Sequence, residues 1–207
     1  MPDSLTVENL KQWLSQVQGY EHEREEAELF SESAFASAAE LTPAAVLIPL
    51  VMRESGITVL LTQRTAHLHN HAGQISFPGG RVDPEDADHV AAALREASEE
   101  VGLLAGQIEV IATLPDYRTG TGFHIDPIVG LVTPPLNLKL DDFEVADVFE
   151  VPLSFLMDEG NWRRDSAELG GKSRQYWAIP WRDRYIWGAT AGMIVSLKRC
   201  LDYGRSC

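Results

Sequence analysis

Residues 79–103 read GGRVDPEDADHVAAALREASEEVGL. The second half, HVAAALREASEEV, has the composition of a strong helix former. On a helix each residue turns by about 100°, so with Glu96 at zero Glu100 lies at about +40° and Glu99 at about −60°. The three glutamates therefore share one arc of roughly 100°. Val90, Leu94, Ala97 and Val101 fall between about 100° and 160°, which predicts an apolar stripe beside the acidic one. Gly102 follows as a natural helix stop. Two readings of the crowded acids stand at this level. One is a solvated face in which Arg95 and Glu99 form an ordinary i,i+4 pair. The other is a site for a hard divalent cation such as Mg²⁺, which takes oxygen ligands and offsets the repulsion between carboxylates.

The rest of the chain bounds the choice. Its 207 residues suffice for one domain with a sizeable core. The formal net charge is −14, which argues against a general nucleic-acid binder, since that would show a basic field. It does not exclude an anionic small substrate, because metal ions reverse the local sign. The only cysteines are Cys200 and Cys207, too few for a disulfide framework, so a cytoplasmic protein is expected. No stretch of eighteen uninterrupted apolar residues marks a membrane span. The opening MPDSLTVENLKQWL lacks the basic and apolar regions of a secretory signal.

Outward from the acidic helix, the chain alternates strands and helices. SLTVENLKQWLSQV predicts an N-terminal helix, followed by an acidic, Ala- and Ser-rich arm over about 19–43. AAVLIPLVM and ITVLLTQR read as two strands joined at Glu54-Ser55-Gly56. Pro49 in the first suggests an edge position or a bulge. GQISF, QIEVIATL and HIDPIVGLV read as further strands. VFEVPLSFLMDEG reads as a strand entering a short helix. RQYWAIPW and RYIWG are aromatic β segments, whose Trp177 and Trp181, with Trp187, are expected in the core. ATAGMIVSLKRCLDY closes the chain as an amphipathic helix. The order predicts an α/β domain over 44–207, with helices packed on a sheet, preceded by a helix and arm over 1–43.

The acidic helix follows Phe77-Pro78-Gly79-Gly80, where adjacent glycines let backbone approach a ligand or metal closely. The whole stretch resembles the Nudix box, G-x5-E-x7-R-E-U-x-E-E-x-G-U with U aliphatic. Its tail is intact here as Arg95, Glu96, Ala97, Glu99, Glu100, Gly102 and Leu103. Fourteen residues separate Gly80 from Arg95, against thirteen in the usual box. Counting forward from Gly80, Asp86 stands where the first glutamate belongs; counting back from Arg95, that place is Ala87. The preceding segment, LLTQRTAHLHNHAGQISFPGG over 60–80, resembles the coenzyme A diphosphatase branch of that family. Arg64, His71, Gln74, Gly79 and Gly80 all match its pattern. So do Glu144, ahead of V-F-E-V-P-L, and the stretch from Trp187 to Ala191. The extra residue in the box is also a feature of this branch. The resemblance spans about 44–197.

The resemblance implies a Nudix-type α/β/α sandwich with a mixed sheet. It also implies hydrolysis of a pyrophosphate bond, with Mg²⁺ or Mn²⁺ held by Glu96, Glu99 and Glu100 and the Gly80 carbonyl as a further oxygen ligand. Glu100 or Glu144 is the expected general base, and Arg95 the residue that fixes the helix side chains. Arg64, His71, Gln74, Gly79 and Gly80 are the expected substrate contacts, Arg64 by a bidentate grip on phosphate. The alternation of His67, His69 and His71 is weak evidence for zinc, and nearby acids suit Mg²⁺ better. In the coenzyme A branch the products are 3′,5′-ADP and 4′-phosphopantetheine. The alternatives are another nucleoside diphosphate derivative (NADH, an ADP-sugar or a dinucleoside polyphosphate) and a non-catalytic, nucleotide-binding regulator. A regulator of that kind usually loses the acids that survive here. The expected partner is a small-molecule substrate, with neither nucleic acid nor membrane; a homodimer is left open.

Overall fold

The computed structural model describes residues 5–17, 41–67, 72–169 and 172–207. The predicted 19–43 arm falls almost wholly outside them. Helix α1, Val7–Ser15, starts where the Thr6 hydroxyl accepts the Asn9 N–H. Strands β1 (Thr42–Arg53) and β2 (Gly56–Arg64) form a hairpin, followed by β3 (Ile75–Ser76), β4 (Gly79–Arg81) and helix α2 (His89–Val101). Then come β5 (Ile108–Thr113), β6 (Tyr117–Arg118), β7 (Phe123–Val132), β8 (Val145–Pro152) and the short helix α3 (Leu153–Leu156). Strands β9 (Arg163–Leu169), β10 (Lys172–Trp181) and β11 (Arg184–Trp187) lead into helix α4, Gly188–Ser206.

The main sheet is mixed. β1 runs parallel to β7 over Thr42–Val51 and antiparallel to β2 only over Leu50–Arg53. Below that, β1 and β2 splay apart and the chain from Ile75 to Arg81 wedges between them. β3 pairs with Thr62 and Gln63 of β2, and β4 pairs with Ala44, Ala45 and Val46 of β1. β8 lies on the outer side of β2. This topology corrects the expectation for Pro49, which occupies a central strand. The Leu47 N–H, two residues earlier, donates to Pro78 on the wedge side. The Pro49 nitrogen has the same parity and faces the gap between the β4 and β2 registers, where no ladder bond is required of it.

Alternation along β1 separates two cores. Ala45, Leu47 and Val51 join Leu60 and the α2 residues Ala92, Ala93, Ala97 and Val101. Ala44, Val46, Ile48 and Leu50 face α4, α1 and the second sheet. The result is an α/β/α sandwich. α1 belongs to this second core through Leu10, Trp13 and Leu14. It approaches α4 so closely that a methyl group on Gly204 would fall 2.0 Å from the Trp13 carbonyl.

The second sheet, ordered β11-β10-β9, was only partly legible. β9 reads RRDSAEL and carries no apolar alternation; its pairing partner β10 imposes the strand. Trp177 and Trp181 pack on the core as expected. Trp187 instead lies against the Tyr176 ring, centroids 5.2 Å apart. Among the described residues no helix is long and apolar enough to cross a membrane.

Candidate active site

Helix α2 stops at Gly102 as its sequence predicts, and the structure adds an N-cap at Asp88. The Asp88 carboxylate accepts the Ala91 N–H at 2.7 Å, and Gly102 ends the helix at φ 74°. Its buried face is not the predicted one. Ala97 and Val101 are buried, but Val90 and Leu94 only flank the core, while Ala92, Ala93 and Glu100 are inside it. The buried arc thus runs from about −40° at Ala92 to about 140° at Val101, with Glu100 near its middle. The carboxylate face and the core face overlap, because the side chains on that arc are alanines. Small residues let the helix sit close on the sheet and carry Glu96 and Glu100 down to the glycine turn.

The contact with that turn is tight. Glu100 Oε2 accepts the Gly79 N–H at 3.2 Å. A β-carbon on Gly80 would lie 2.5 Å from Glu96 Oε1. Arg95 organises the outer side of the helix. It grips Asp86 through two bonds of 2.9 Å and also reaches Glu96 and Glu99, each at 3.0 Å. The hydrogen bonds from Arg95, with the Asp83 N–H, hold the Asp86 carboxyl down at about 2. Of the two positions the sequence offered for the first acid of the box, the side chain that meets the arginine is Asp86.

A second arginine enters from β2. Arg64 Nη1 lies 3.6 Å from Glu100 Oε1, and Arg64 Nη2 lies 3.4 Å from Glu144 Oε2. The Arg64 N–H donates to the Gln74 carbonyl at 2.9 Å, which ties β2 to the start of the wedge. Glu144 is held at the mouth by Thr65, whose N–H donates to the Glu144 carbonyl and whose hydroxyl donates to the Phe143 carbonyl. No local pattern distinguishes Thr65, so its part in placing Glu144 was not legible. His71 lies outside the described residues.

Electrostatically the site is short of positive charge. Glu100 is 4% exposed, and its carboxyl is pushed up to about 8, chiefly by burial. The Gly79 N–H and Arg64 oppose the shift, while Glu96 and Glu144 add to it. Burial also raises Glu96, against the pull of Arg95. Among the described residues no three His, Cys, Asp or Glu side chains converge as a closed metal cage. The donor set nevertheless suits a hard cation: the buried Glu100 and the partly buried Glu96 flank the glycine turn, and every available side-chain donor is oxygen. Glu99 is turned outward onto Arg95.

Comparison with known proteins gives consistent matches. The family model described as NUDIX domain matches residues 41–167. The chain is 46% identical over 155 residues to the uncharacterized Nudix hydrolase NudL of Citrobacter koseri, covering 74% of this chain and 80% of that one. It is 45% identical over 156 residues to the NudL protein of Escherichia coli K12, with the same coverage. Among solved structures, a MutT/nudix family protein from Enterococcus faecalis covers 88% of this chain and 76% of its own, at 17% identity and a TM-score of 0.49. A C. elegans Ap4A hydrolase binary complex covers 54% of this chain and 80% of its own, at 23% identity and a TM-score of 0.47.

Proposed function

Because the chain belongs to the Nudix hydrolase family, we propose that it cleaves the pyrophosphate bond of coenzyme A or a derivative, giving 3′,5′-ADP and 4′-phosphopantetheine. The observation that carries the chemistry is the convergence of Glu96 and Glu100 from α2, Arg64 from β2 and Glu144 from the β8 approach on the Gly79–Gly80 turn. The substrate is inferred from the 60–80 segment, whose Arg64, Gln74, Gly79 and Gly80 line the splay between β1 and β2.

Glu96 and Glu100, with the Gly80 carbonyl, would hold Mg²⁺ or Mn²⁺; Glu99 would join them only by leaving Arg95. Such an ion, when bound, neutralises the diphosphate and lowers the pKa of water. Arg64 offers a guanidinium to a phosphate oxygen, a contact stronger than its present ones to carboxylates beyond 3 Å. Arg95 keeps Glu96 in place. Glu144, more open than Glu100, takes the proton as the water oxygen attacks phosphorus. The bridging P–O bond breaks, and its oxygen leaves with the departing phosphate.

The test is incubation of the purified protein with coenzyme A and Mg²⁺, with Mn²⁺ in parallel, products read by mass spectrometry. The two products should appear, disappear with chelator, and fall on the order of 10²–10⁴-fold in Glu100→Gln. That variant keeps an acceptor for the Gly79 N–H and should melt like the parent. Intact coenzyme A under both metals would overturn the substrate, and a panel of NADH, ADP-sugars and dinucleoside polyphosphates would then identify the true one. Silence across the panel, with nucleotide still bound, would favour a regulator.

A further inference from the structure

Strand β8 keeps step with β2 from Pro152 down to Asp147, which pairs with Gln63, but the next pair is Arg64 with Val145. Ala146 is the extra residue of a bulge, and it is exposed. The two cores record the same shift. Phe149 packs in the α4 core and Val148 in the α2 core. Regular alternation would return Val145 to the face of Phe149, yet it is buried in the α2 core. In an unbroken register Glu144 would lie opposite Ala66, one residue or about 3.3 Å farther along β2. With the bulge the Thr65 N–H reaches the Glu144 carbonyl, and the Glu144 carboxylate stands 3.4 Å from Arg64.

Arg184 of β11 fastens the last regular pair before this bulge. Its Nη2 donates to Asp147 Oδ2 at 2.5 Å, and its Nη1 donates to the Gln63 side-chain oxygen. The guanidinium lies 4.7 Å from the centroid of the Phe149 ring. The other Asp147 oxygen accepts the Val148 N–H at 2.9 Å. By strand alternation Gln63 shares the face of Leu61, whose core is that of α4, while Arg64 shares the α2 face with Leu60. Arg184 thus stands across the sheet from Glu100 and reaches the site through β2 and β8. Resting on the reading of Glu144 as the proton acceptor, we propose that Arg184 is a positioning residue for that carboxylate. By clamping Gln63 to Asp147 it maintains the bulge at Ala146, and the bulge keeps Glu144 beside Arg64. The second sheet thereby sets the geometry of a site built on the first.

The experiment measures kcat and KM on the substrate that the parent cleaves, for Arg184→Ala and Asp147→Ala, each alone and combined with Glu144→Gln. Rates are taken at a temperature where melting curves show every variant folded. Should Arg184→Ala not fold, Asp147→Ala carries the same test, because Arg184 then keeps Gln63 and Phe149. Each clamp variant should lower kcat on the order of 10–100-fold and leave KM within about two-fold. In the Glu144→Gln background the same changes should cost less than about two-fold, since the carboxylate they position is already gone. An equal loss in both backgrounds would make Arg184 a general brace of the fold. An unchanged kcat would mean that the bulge holds without it. Either result overturns the proposal and leaves the hydrolysis reading intact. Full kcat in Glu144→Gln alone, or no hydrolysis by the parent, instead removes the reading on which the proposal rests, and the proposal with it.

Discussion

At Gly80 an added methyl group would meet the far end of the Glu96 side chain, at 2.5 Å. At Gly79, with φ 152°, it would meet the Ala45 carbonyl at 2.4 Å and the Val46 Cα at 2.6 Å. A carboxylate can swing aside; sheet backbone cannot. Gly80→Ala should therefore keep its melting temperature to within a few degrees and lose activity about 100-fold, because a displacement near 1 Å suffices for that. Gly79→Ala should instead lose about 2–4 kcal/mol of stability through backbone strain and overpacking. Denaturant melts and steady-state rates on both variants separate the outcomes. Equal loss of stability in the two would show that Glu96 is not the group confined by Gly80.

Three strands are joined on the α2 face by one glutamate. Glu150 of β8 accepts two bonds from Arg53 of β1, at 2.5 and 3.1 Å, and one from the Thr58 hydroxyl of β2 at 2.5 Å. The Arg53 hydrogen bonds pull its carboxyl below the usual 4.5, and burial opposes them. The native value is depressed, so the stabilisation is present above about pH 4.5 and fades as pH falls through the native value. With Arg53 partly open to solvent, the effect is about 1 kcal/mol. Glu150→Gln should be less stable than the parent at pH 7 by that amount, and the gap should close on acidification toward pH 3. A gap that stays constant with pH would mean that the charge on Glu150 contributes nothing.

The two cores of the sandwich do different work. Leu47 and Ile48 are adjacent in β1 and both fully buried, on opposite faces of the sheet. Either one changed to alanine should cost about 2–5 kcal/mol. Leu47 packs beneath the alanine face of α2, so its loss should also let the carboxylate helix shift and lower kcat at temperatures where both variants are folded. Ile48 supports α4 and α1, and its loss should spare kcat. Matched rates for the two variants would show that α2 is held by its other contacts.

The acidic helix was legible in sequence to its last residue, because its signals are local: an alanine-rich body and a glycine stop. So were the glycine turn, the strand–helix order and the family resemblance, which are likewise carried by contiguous residues. Tertiary structure alone decided which arc of α2 is buried, because the alanine body has no large side chains to mark it. It placed Pro49 in a central strand, since the splay that excuses the missing N–H depends on the register of β4. It made a strand of the charged β9 through β10. It brought Arg64 to within 3.4 Å of Glu144, 80 residues away, through the pairing of β2 with β8. Local propensity reaches one or two turns of chain; which carboxylates share an arginine is set by how the sheet closes around them.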